Sequence, residues 1–173
     1  LRNNILNSYI RDRERVVVGK YPGATSKEIA HNSIYTITQE APKTLVVVAG
    51  ANDILQQSKG GNIPNEVTIV NDIIDIGRQA KAMGVERVYV SSIIVMSTPR
   101  LENIRKRVNN LLRTRCLDEG YGYIDNSNII RVDLSLDNLH LNRNGLTVFM
   151  DNILGSCLFT YNPYLTDYYD KIS

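Results

Sequence analysis

The sequence has no tryptophan, only two cysteines and two histidines, and no long apolar run. Cys116 and Cys157 lack the Cys-x-x-Cys or Cys/His spacing of a zinc site, so we expect two buried free thiols and no bound metal. Such sparse cysteine use favours a reducing compartment. A bilayer-spanning helix needs about 20 consecutive apolar residues, so the sequence predicts no membrane span.

Neither sign of charge dominates the sequence. Lys and Arg total 20 against 18 Asp and Glu, a net charge of +2, which does not indicate nucleic acid or an acidic membrane as the main partner. The basic residues between Arg100 and Arg115 alternate with apolar residues at helical spacing, which is typical of the solvated face of a packed helix. With 43% apolar residues, the 173-residue chain predicts one globular domain over residues 1–160 and a tyrosine-rich tail over residues 161–173.

Short apolar runs alternate with segments of helical periodicity along the whole chain. Wholly apolar or nearly apolar runs predict four strands, at residues 16–18, 45–49, 87–94 and 121–124. Apolar strands joined by helices are typical of a parallel sheet that is covered on both faces. The sequence therefore predicts an α/β protein with three layers, helices on either side of one sheet.

Local signals mark the helix ends. Thr25 and Glu28 have the spacing of a capping box, Asn65 is a suitable N-cap, and Gly84 stands where a glycine commonly ends a helix. A last helix is predicted over residues 143–158, and the spacing of apolar residues in 1–10 indicates a helix at the start of the chain.

Three polar clusters follow predicted strands or precede the last helix. They are Gly23 in a Pro-Gly turn, the segment 50–53 (Gly-Ala-Asn-Asp), and the segment 137–140 (Asp-Asn-Leu-His). In open α/β sheets, ligands bind beyond the carboxyl ends of the strands, which is where these clusters fall. Each cluster taken alone also fits a simpler interpretation: a turn, a helix cap or an incidental loop histidine.

Together, the clusters have the residue types of an acyl-transfer site. Asp137, three residues before His140, can accept the imidazole Nδ1–H and leave Nε2 as a general base. The side-chain amide of Asn52 and the backbone N–H of Gly23 can form an oxyanion hole. The set lacks a nucleophile.

At these residues the sequence resembles the SGNH (GDSL-type) hydrolases, over about residues 1–154. That family has a Ser in Gly-Asp-Ser, then a Gly, an Asn in Gly-x-Asn-Asp and a His in Asp-x-x-His, and the last three blocks occur here in that order. The resemblance implies a flavodoxin-like sheet and a serine ester hydrolase that needs no cofactor and acts on small O-acyl esters such as acetates. It implies that His140 is the base, Asp137 its orienting partner and Gly23 and Asn52 the oxyanion donors, with the remaining block residues, Gly50 and Asp53, in support.

The sequence departs from the family at the nucleophile. No Gly-Asp-Ser follows an apolar strand, and the segment 1–6 resembles the helix that comes directly after that block. We therefore expect the serine and the central first strand upstream of Leu1, which would make this chain an N-terminally truncated and inactive domain. Ser8 is a poor substitute, because it falls mid-helix with no strand before it. The alternative is a protein without the serine, a non-catalytic SGNH-fold binding or assembly module.

Overall fold

The computed structural model describes residues 16–158. The predicted first helix, Ser8 and the tyrosine-rich tail lie outside the described residues. The strands are β1 (Thr44–Val47), β2 (Arg87–Ser91) and β3 (Gly122–Ile124). The helices are α1 (Ser26–Glu40), α2 (Ala51–Gln57), α3 (Glu66–Ala82), α4 (Pro99–Glu119) and α5 (Arg143–Leu158), with 3-10 turns at Lys59–Gly61 and Arg131–Asp133.

The three strands form one parallel sheet in the order β1-β2-β3. Leu45 lies opposite Val88, and Val90 lies opposite Tyr123, so neighbouring strands run side by side in the same direction. Parallel neighbours require a crossover connection, and α3 and α4 supply these two crossovers. The predicted α/β class with a parallel sheet is confirmed.

Both faces of the sheet are covered by packed side chains, as the unalternating apolar strands predict. Val47, Val88 and Val90 belong to a core cluster that also contains residues of α1, α3 and α4, and the partly buried Leu45 packs against it. Val46 and Tyr89 project to the opposite face, because successive side chains of a strand alternate. They belong to a second cluster with residues of α5 such as Phe149 and Ile153. This gives the helix–sheet–helix layering.

The predicted helix starts are confirmed by their caps. The Thr25 hydroxyl accepts from the Glu28 amide, and the Glu28 carboxylate accepts in turn from the Thr25 amide at 2.8 Å, which is the reciprocal capping box. The Asn65 side chain accepts from the Thr68 amide at 3.0 Å. At the end of α3, Gly84 takes a positive φ of 97°, which L side chains rarely adopt.

The predicted strand at residues 16–18 is wrong. These residues form no regular structure, and Val17 is 40% exposed. An apolar run becomes a strand only when a neighbour supplies backbone partners, and within residues 16–158 the edge of β1 that faces away from β2 pairs with no strand. The strands β1 and β2 also end earlier than predicted, at Val47 and Ser91.

Cys116 and Cys157 are buried free thiols, as predicted. Burial raises the pKa of each thiol to about 12, so both are neutral and poorly nucleophilic near pH 7. In the described part of the chain, no helix combines the length and apolarity that crossing a bilayer requires.

Candidate active site

Two of the three polar clusters lie in segments that follow the carboxyl ends of parallel strands, whereas the Gly23 turn follows residues 16–18, which form no strand. Gly50 is the N-cap of α2, the helix that follows β1, and the segment 134–142 lies between β3 and α5. The structure groups the predicted site residues into two pairs, Gly23 with Asn52 and Asp137 with His140.

Gly23 lies in a tight turn before α1. The Ala24 amide donates to the Tyr21 carbonyl at 3.1 Å, and Gly23 has a φ of +73°. A Cβ at Gly23 would meet nothing within 4 Å, so the left-handed backbone alone favours glycine there. The turn therefore presents unhindered backbone on the side of Gly23.

Helix α2 holds this turn with two amide side chains. Asn52 Nδ2 donates to the Ala24 carbonyl at 3.1 Å, and Gln56 Nε2 donates to the Gly23 carbonyl at 3.2 Å. Residues four apart lie on one face of a helix, so both amides face the same turn. The bond to Ala24 uses one of the two N–H groups of Asn52 Nδ2, and the second is left for another acceptor.

Gly50 places α2 in this position. It is the N-cap of α2 with a φ of +105°, and a Cβ there would lie 2.7 Å from Ile93 Cδ1 and 2.9 Å from Ile73 Cδ1. Both the backbone conformation and the space thus require glycine. Neither α2 nor the role of Gln56 is predicted by the apolar periodicity of the sequence, although the i, i+4 spacing of Asn52 and Gln56 is a signal for both.

Asp53 is buried beneath the turn and bonds to the first residue of α1. Its Oδ2 accepts from the Ser26 amide at 3.0 Å and from the Ser26 hydroxyl at 2.9 Å. Burial raises the pKa of Asp53, and the hydrogen bonds from Ser26 lower it in part. Asp53 thus stabilises the turn indirectly, because it fixes the start of α1, the helix that directly follows the turn.

Asp137 and His140 form a dyad through side chains and backbone. His140 Nδ1 lies 2.6 Å from Asp137 Oδ2, while Asp137 Oδ1 accepts from the amides of Leu139 at 2.9 Å and His140 at 3.0 Å. The hydrogen bond from the His140 side chain, followed by the backbone bonds, lowers the pKa of Asp137 to about 2. The His140 ring is 76% exposed, and its Nε2 has no hydrogen-bond partner among the described residues.

The loop that carries the dyad is closed by backbone hydrogen bonds. The Ser135 amide donates to the His140 carbonyl at 2.7 Å, and Leu134 and Leu141 form an antiparallel bridge. Asn142 Nδ2 donates to the Val132 carbonyl at 2.7 Å. The dyad is therefore presented by an ordered loop.

In residues 16–158, no hydrogen bond or ion pair joins the Gly23–Asn52 pair to the Asp137–His140 pair. The same residues contain no group of three or more His, Cys, Asp or Glu side chains that could hold a metal ion. Within the described residues, the arrangement offers the His140 imidazole oriented by Asp137, and the Asn52 amide with one N–H beyond its bond to Ala24.

The arginines of α4 make contacts within the chain. Arg105 pairs with Glu102, Arg107 with Glu66 and Arg113 with Asp125. Arg100 donates to backbone carbonyls at Gly61 and Asn62, and Arg115 donates to Asn71.

Solved structures of ester-cleaving and related hydrolases have this fold. A GDSL-like lipase from Bacteroides thetaiotaomicron matches with a TM-score of 0.61 and 16% identity, covering 76% of this chain and 69% of that chain. A catalytic mutant of an acetylxylan esterase from Geobacillus stearothermophilus matches with a TM-score of 0.70 and 11% identity, covering 82% and 71%. An alpha/beta hydrolase enzyme from the metagenome of Lake Arreo, Spain, matches with a TM-score of 0.63 and 14% identity, covering 78% and 68%.

No protein-family model and no curated protein matches the sequence. At identities this low the structural similarity demonstrates the fold. The chain has the α/β fold of the SGNH (GDSL-type) hydrolases, as the sequence resemblance implied.

Proposed function

With the SGNH-type fold as the premise, we propose that the protein is a serine ester hydrolase whose base is His140. The observation that carries this proposal is the 2.6 Å contact between His140 Nδ1 and Asp137 Oδ2, together with the unpartnered Nε2. A carboxylate on Nδ1 fixes the tautomer in which Nε2 accepts a proton and stabilises the imidazolium that results.

The proposed reaction proceeds in two halves. His140 Nε2 takes the proton of a serine hydroxyl as the serine oxygen bonds to the ester carbonyl carbon, and the imidazolium then returns that proton to the departing alkoxide. The alcohol leaves and an acyl-serine remains. His140 next takes a proton from water, the hydroxide oxygen attacks the acyl-serine, and the carboxylic acid is released as the serine regains its proton.

The oxyanion of each tetrahedral intermediate is proposed to lie against Gly23 and Asn52. The second N–H of Asn52 Nδ2 and the Gly23 backbone N–H supply the two donors. Their fixed positions support this role, because donors that need no reorganisation stabilise the developing charge most. In this arrangement, Gly50 and Asp53 hold the donors in place.

We place the nucleophilic serine upstream of Leu1, on a strand that pairs with the free edge of β1. Such a strand would end at the same carboxyl edge of the sheet as β1, next to Asn52. The proposed domain then comprises that strand and residues 1–160, with residues 161–173 as a separate tail. The substrate proposed is a small O-acyl ester, and no cofactor enters the reaction.

The test requires the protein with its upstream residues and a chromogenic ester such as 4-nitrophenyl acetate. We expect His140→Ala to lower kcat by about 10³-fold or more, since triad residues act as a unit. His31→Ala is the matched control, because His31 is the other histidine and lies exposed on α1. Equal loss in both variants, or none in His140→Ala, would show that His140 is not the base.

Labelling by a serine-directed fluorophosphonate separates the two candidate functions. A hydrolase is labelled at one serine upstream of Leu1, and His140→Ala abolishes the labelling because the serine is no longer activated. A non-catalytic binding or assembly module of the same fold is not labelled at all.

A further inference from the structure

A half-open cleft lies between α4 and the segment that follows β3. It has a volume of about 590 Å³, and Lys106 and Asn110 of α4 line it together with Asp125, Ile129 and Arg131. None of its lining residues belongs to either pair of the candidate active site. The cleft is therefore separate from the groups to which the proposed hydrolysis is assigned.

Positive charge is in excess in the cleft. Four cationic side chains line it against two carboxylates: Arg105, Lys106, Arg113 and Arg131 against Glu102 and Asp125. This excess of two positive charges equals the net charge of +2 of the whole chain. Because a cleft lined by one sign of charge concentrates ions of the opposite sign, the cleft favours an anion.

Two of the four cations already have an acidic partner. Arg105 pairs with Glu102 in a contact that is largely shielded from solvent. Arg113 Nη2 donates to Asp125 Oδ2 at 2.9 Å, and the Arg113 guanidinium lies 5.0 Å from the centre of the Tyr123 ring. Both carboxylates of the cleft are thus used, and neither is left to neutralise the remaining two cations.

Lys106 and Arg131 carry the excess charge. Lys106 is exposed and forms no hydrogen bond or ion pair with any of residues 16–158. Arg131 pairs with no carboxylate in the same residues, and its Nη2 donates to the Ser97 carbonyl at 2.9 Å, which orients the guanidinium. The planar fork of a guanidinium fits the oxygens of a phosphate group. Since α4 supplies one of these cations and the segment after β3 the other, an anion in the cleft can contact both elements.

Apolar side chains line the same cleft. Val95 and Ile129 contribute to its surface, as does Ile130, which is 56% exposed. A ligand with an organic part can cover these side chains while its anionic group lies against the cations. Burial of that part adds to the affinity that the charges provide.

We propose that this cleft binds a phosphorylated small molecule, with the phosphoryl group between Lys106 and Arg131. At pH 7 a phosphate monoester carries a charge of about −1.5 to −2, which balances the two unpaired cations. Its oxygens accept charge-assisted hydrogen bonds from Lys106 Nζ and from guanidinium N–H groups of Arg131. A carboxylate carries a single charge and leaves one of the two cations without a partner. Free phosphate offers the same phosphoryl chemistry, and the experiment separates the two sources.

Binding is measured on this chain by calorimetry and by NMR of the backbone amides, with inorganic phosphate, phenyl phosphate and benzoate as the probes. We expect phenyl phosphate to bind about tenfold tighter than benzoate, because only the phosphoryl group pairs with both cations. We also expect it to bind several-fold tighter than inorganic phosphate, because its ring covers apolar surface. The largest shifts are expected at the amides of Lys106, Ile129 and Arg131.

The variant Lys106→Gln with Arg131→Gln is expected to weaken the binding of phenyl phosphate about tenfold or more. Both side chains are exposed, so the fold tolerates these changes. Lys27→Gln with Lys59→Gln is the matched control, because it removes the same charge from two exposed lysines outside the cleft. The control should change the affinity by less than about twofold.

Four results would overturn the proposal. Benzoate that binds as tightly as phenyl phosphate would exclude a phosphoryl site, and equal affinity for phenyl phosphate and inorganic phosphate would make the ligand free phosphate. Equal weakening in the two double variants would show that binding follows the net charge of the chain. His140→Ala should leave the binding of phenyl phosphate unchanged, and a loss of binding in that variant would place the phosphate at the dyad. This last result is independent of whether the longer protein hydrolyses esters.

Discussion

The buried carboxylate of Asp53 accepts hydrogen bonds from the backbone amide and the hydroxyl of Ser26, at 3.0 and 2.9 Å. These residues are 27 positions apart, at the first turns of α2 and α1. The contact therefore joins two helix starts and fixes the turn that carries Gly23. The Gly23 turn therefore depends on the buried Asp53 carboxylate, and removing that carboxylate should lower the stability of the protein.

Replacing Asp53 by alanine should destabilise the protein by about 1–3 kcal/mol, because the Ser26 donors are then buried without their acceptor. Urea unfolding followed by circular dichroism measures the change. Asp118→Ala is the control, since Asp118 lies exposed on α4, and it should alter the free energy of unfolding by less than about 0.5 kcal/mol. Equal effects of the two variants would exclude a specific role for the Asp53–Ser26 contact.

The pH dependence of stability should also reveal Asp53. Burial raises the pKa of Asp53 in the folded state above the ordinary value of 3.8. The stability that the protonated Asp53 contributes is therefore fully present below pH 3.8 and is lost as the pH rises through the folded pKa. As the pH rises from 4, the unfolding free energy of the unchanged protein should therefore fall relative to that of Asp53→Asn. A difference that is constant with pH would contradict the raised pKa.

Gln56 should protect the Gly23 turn from local opening. Without its bond to the Gly23 carbonyl, Gln56→Ala should speed amide hydrogen exchange in residues 23–26 by about 2- to 12-fold, the range for one hydrogen bond. Gln57→Ala is the neighbouring control, because Gln57 instead accepts from the Asn65 amide at 2.8 Å. If both variants change exchange at residues 23–26 alike, Gln56 has no specific hold on the turn.

The dyad should be visible in the titration of Asp137. Its pKa of about 2 results first from the His140 side chain, so His140→Ala should raise the pKa of Asp137 toward 3.8, measured by NMR of the carboxyl carbon. Because the folded state lowers the pKa of Asp137, its ionised carboxylate stabilises the loop above about pH 4. That stabilisation is lost as the pH falls through about 2.

Asp125 provides the internal comparison for that titration. Its pKa is also lowered, chiefly by the Ser127 amide, and His140 is not among the causes. The pKa of Asp125 should therefore be the same in both proteins. A matching rise at Asp125 would indicate a general change of fold in the variant.

Two glycines of α5 should respond to alanine in opposite directions. A Cβ at Gly145 would collide with the backbone oxygen of Asp133, so Gly145→Ala should destabilise by about 1–3 kcal/mol and displace the dyad loop. A Cβ at Gly155 meets nothing within 4 Å, so Gly155→Ala should stabilise by about 0.5–1 kcal/mol through helix propensity. Thermal melting of both variants checks the signs, and destabilisation by Gly155→Ala would be inconsistent with an open position there.

Features with local causes could be predicted from the sequence alone. The capping box of Thr25 and Glu28 and the cap at Asn65 form between residues three apart, so they are encoded where they occur. The same holds for Asp137 and His140, whose contact spans three residues. Two-sided burial of the strands also follows from their composition, because a strand that is apolar at every position must be covered on both faces.

Tertiary structure alone decided the features that depend on distant partners. The run at residues 16–18 is apolar enough for a strand but forms none, because pairing requires a neighbouring backbone that the sequence pattern does not specify. The Asp53–Ser26 contact and the bond from Gln56 to Gly23 join residues brought together only by folding. The sequence by itself determined the α/β class, the helix caps and the Asp137–His140 pair, since their causes lie within a few residues. Folding decided which strands pair and how the Gly23 turn is held, since those energies come from long-range contacts.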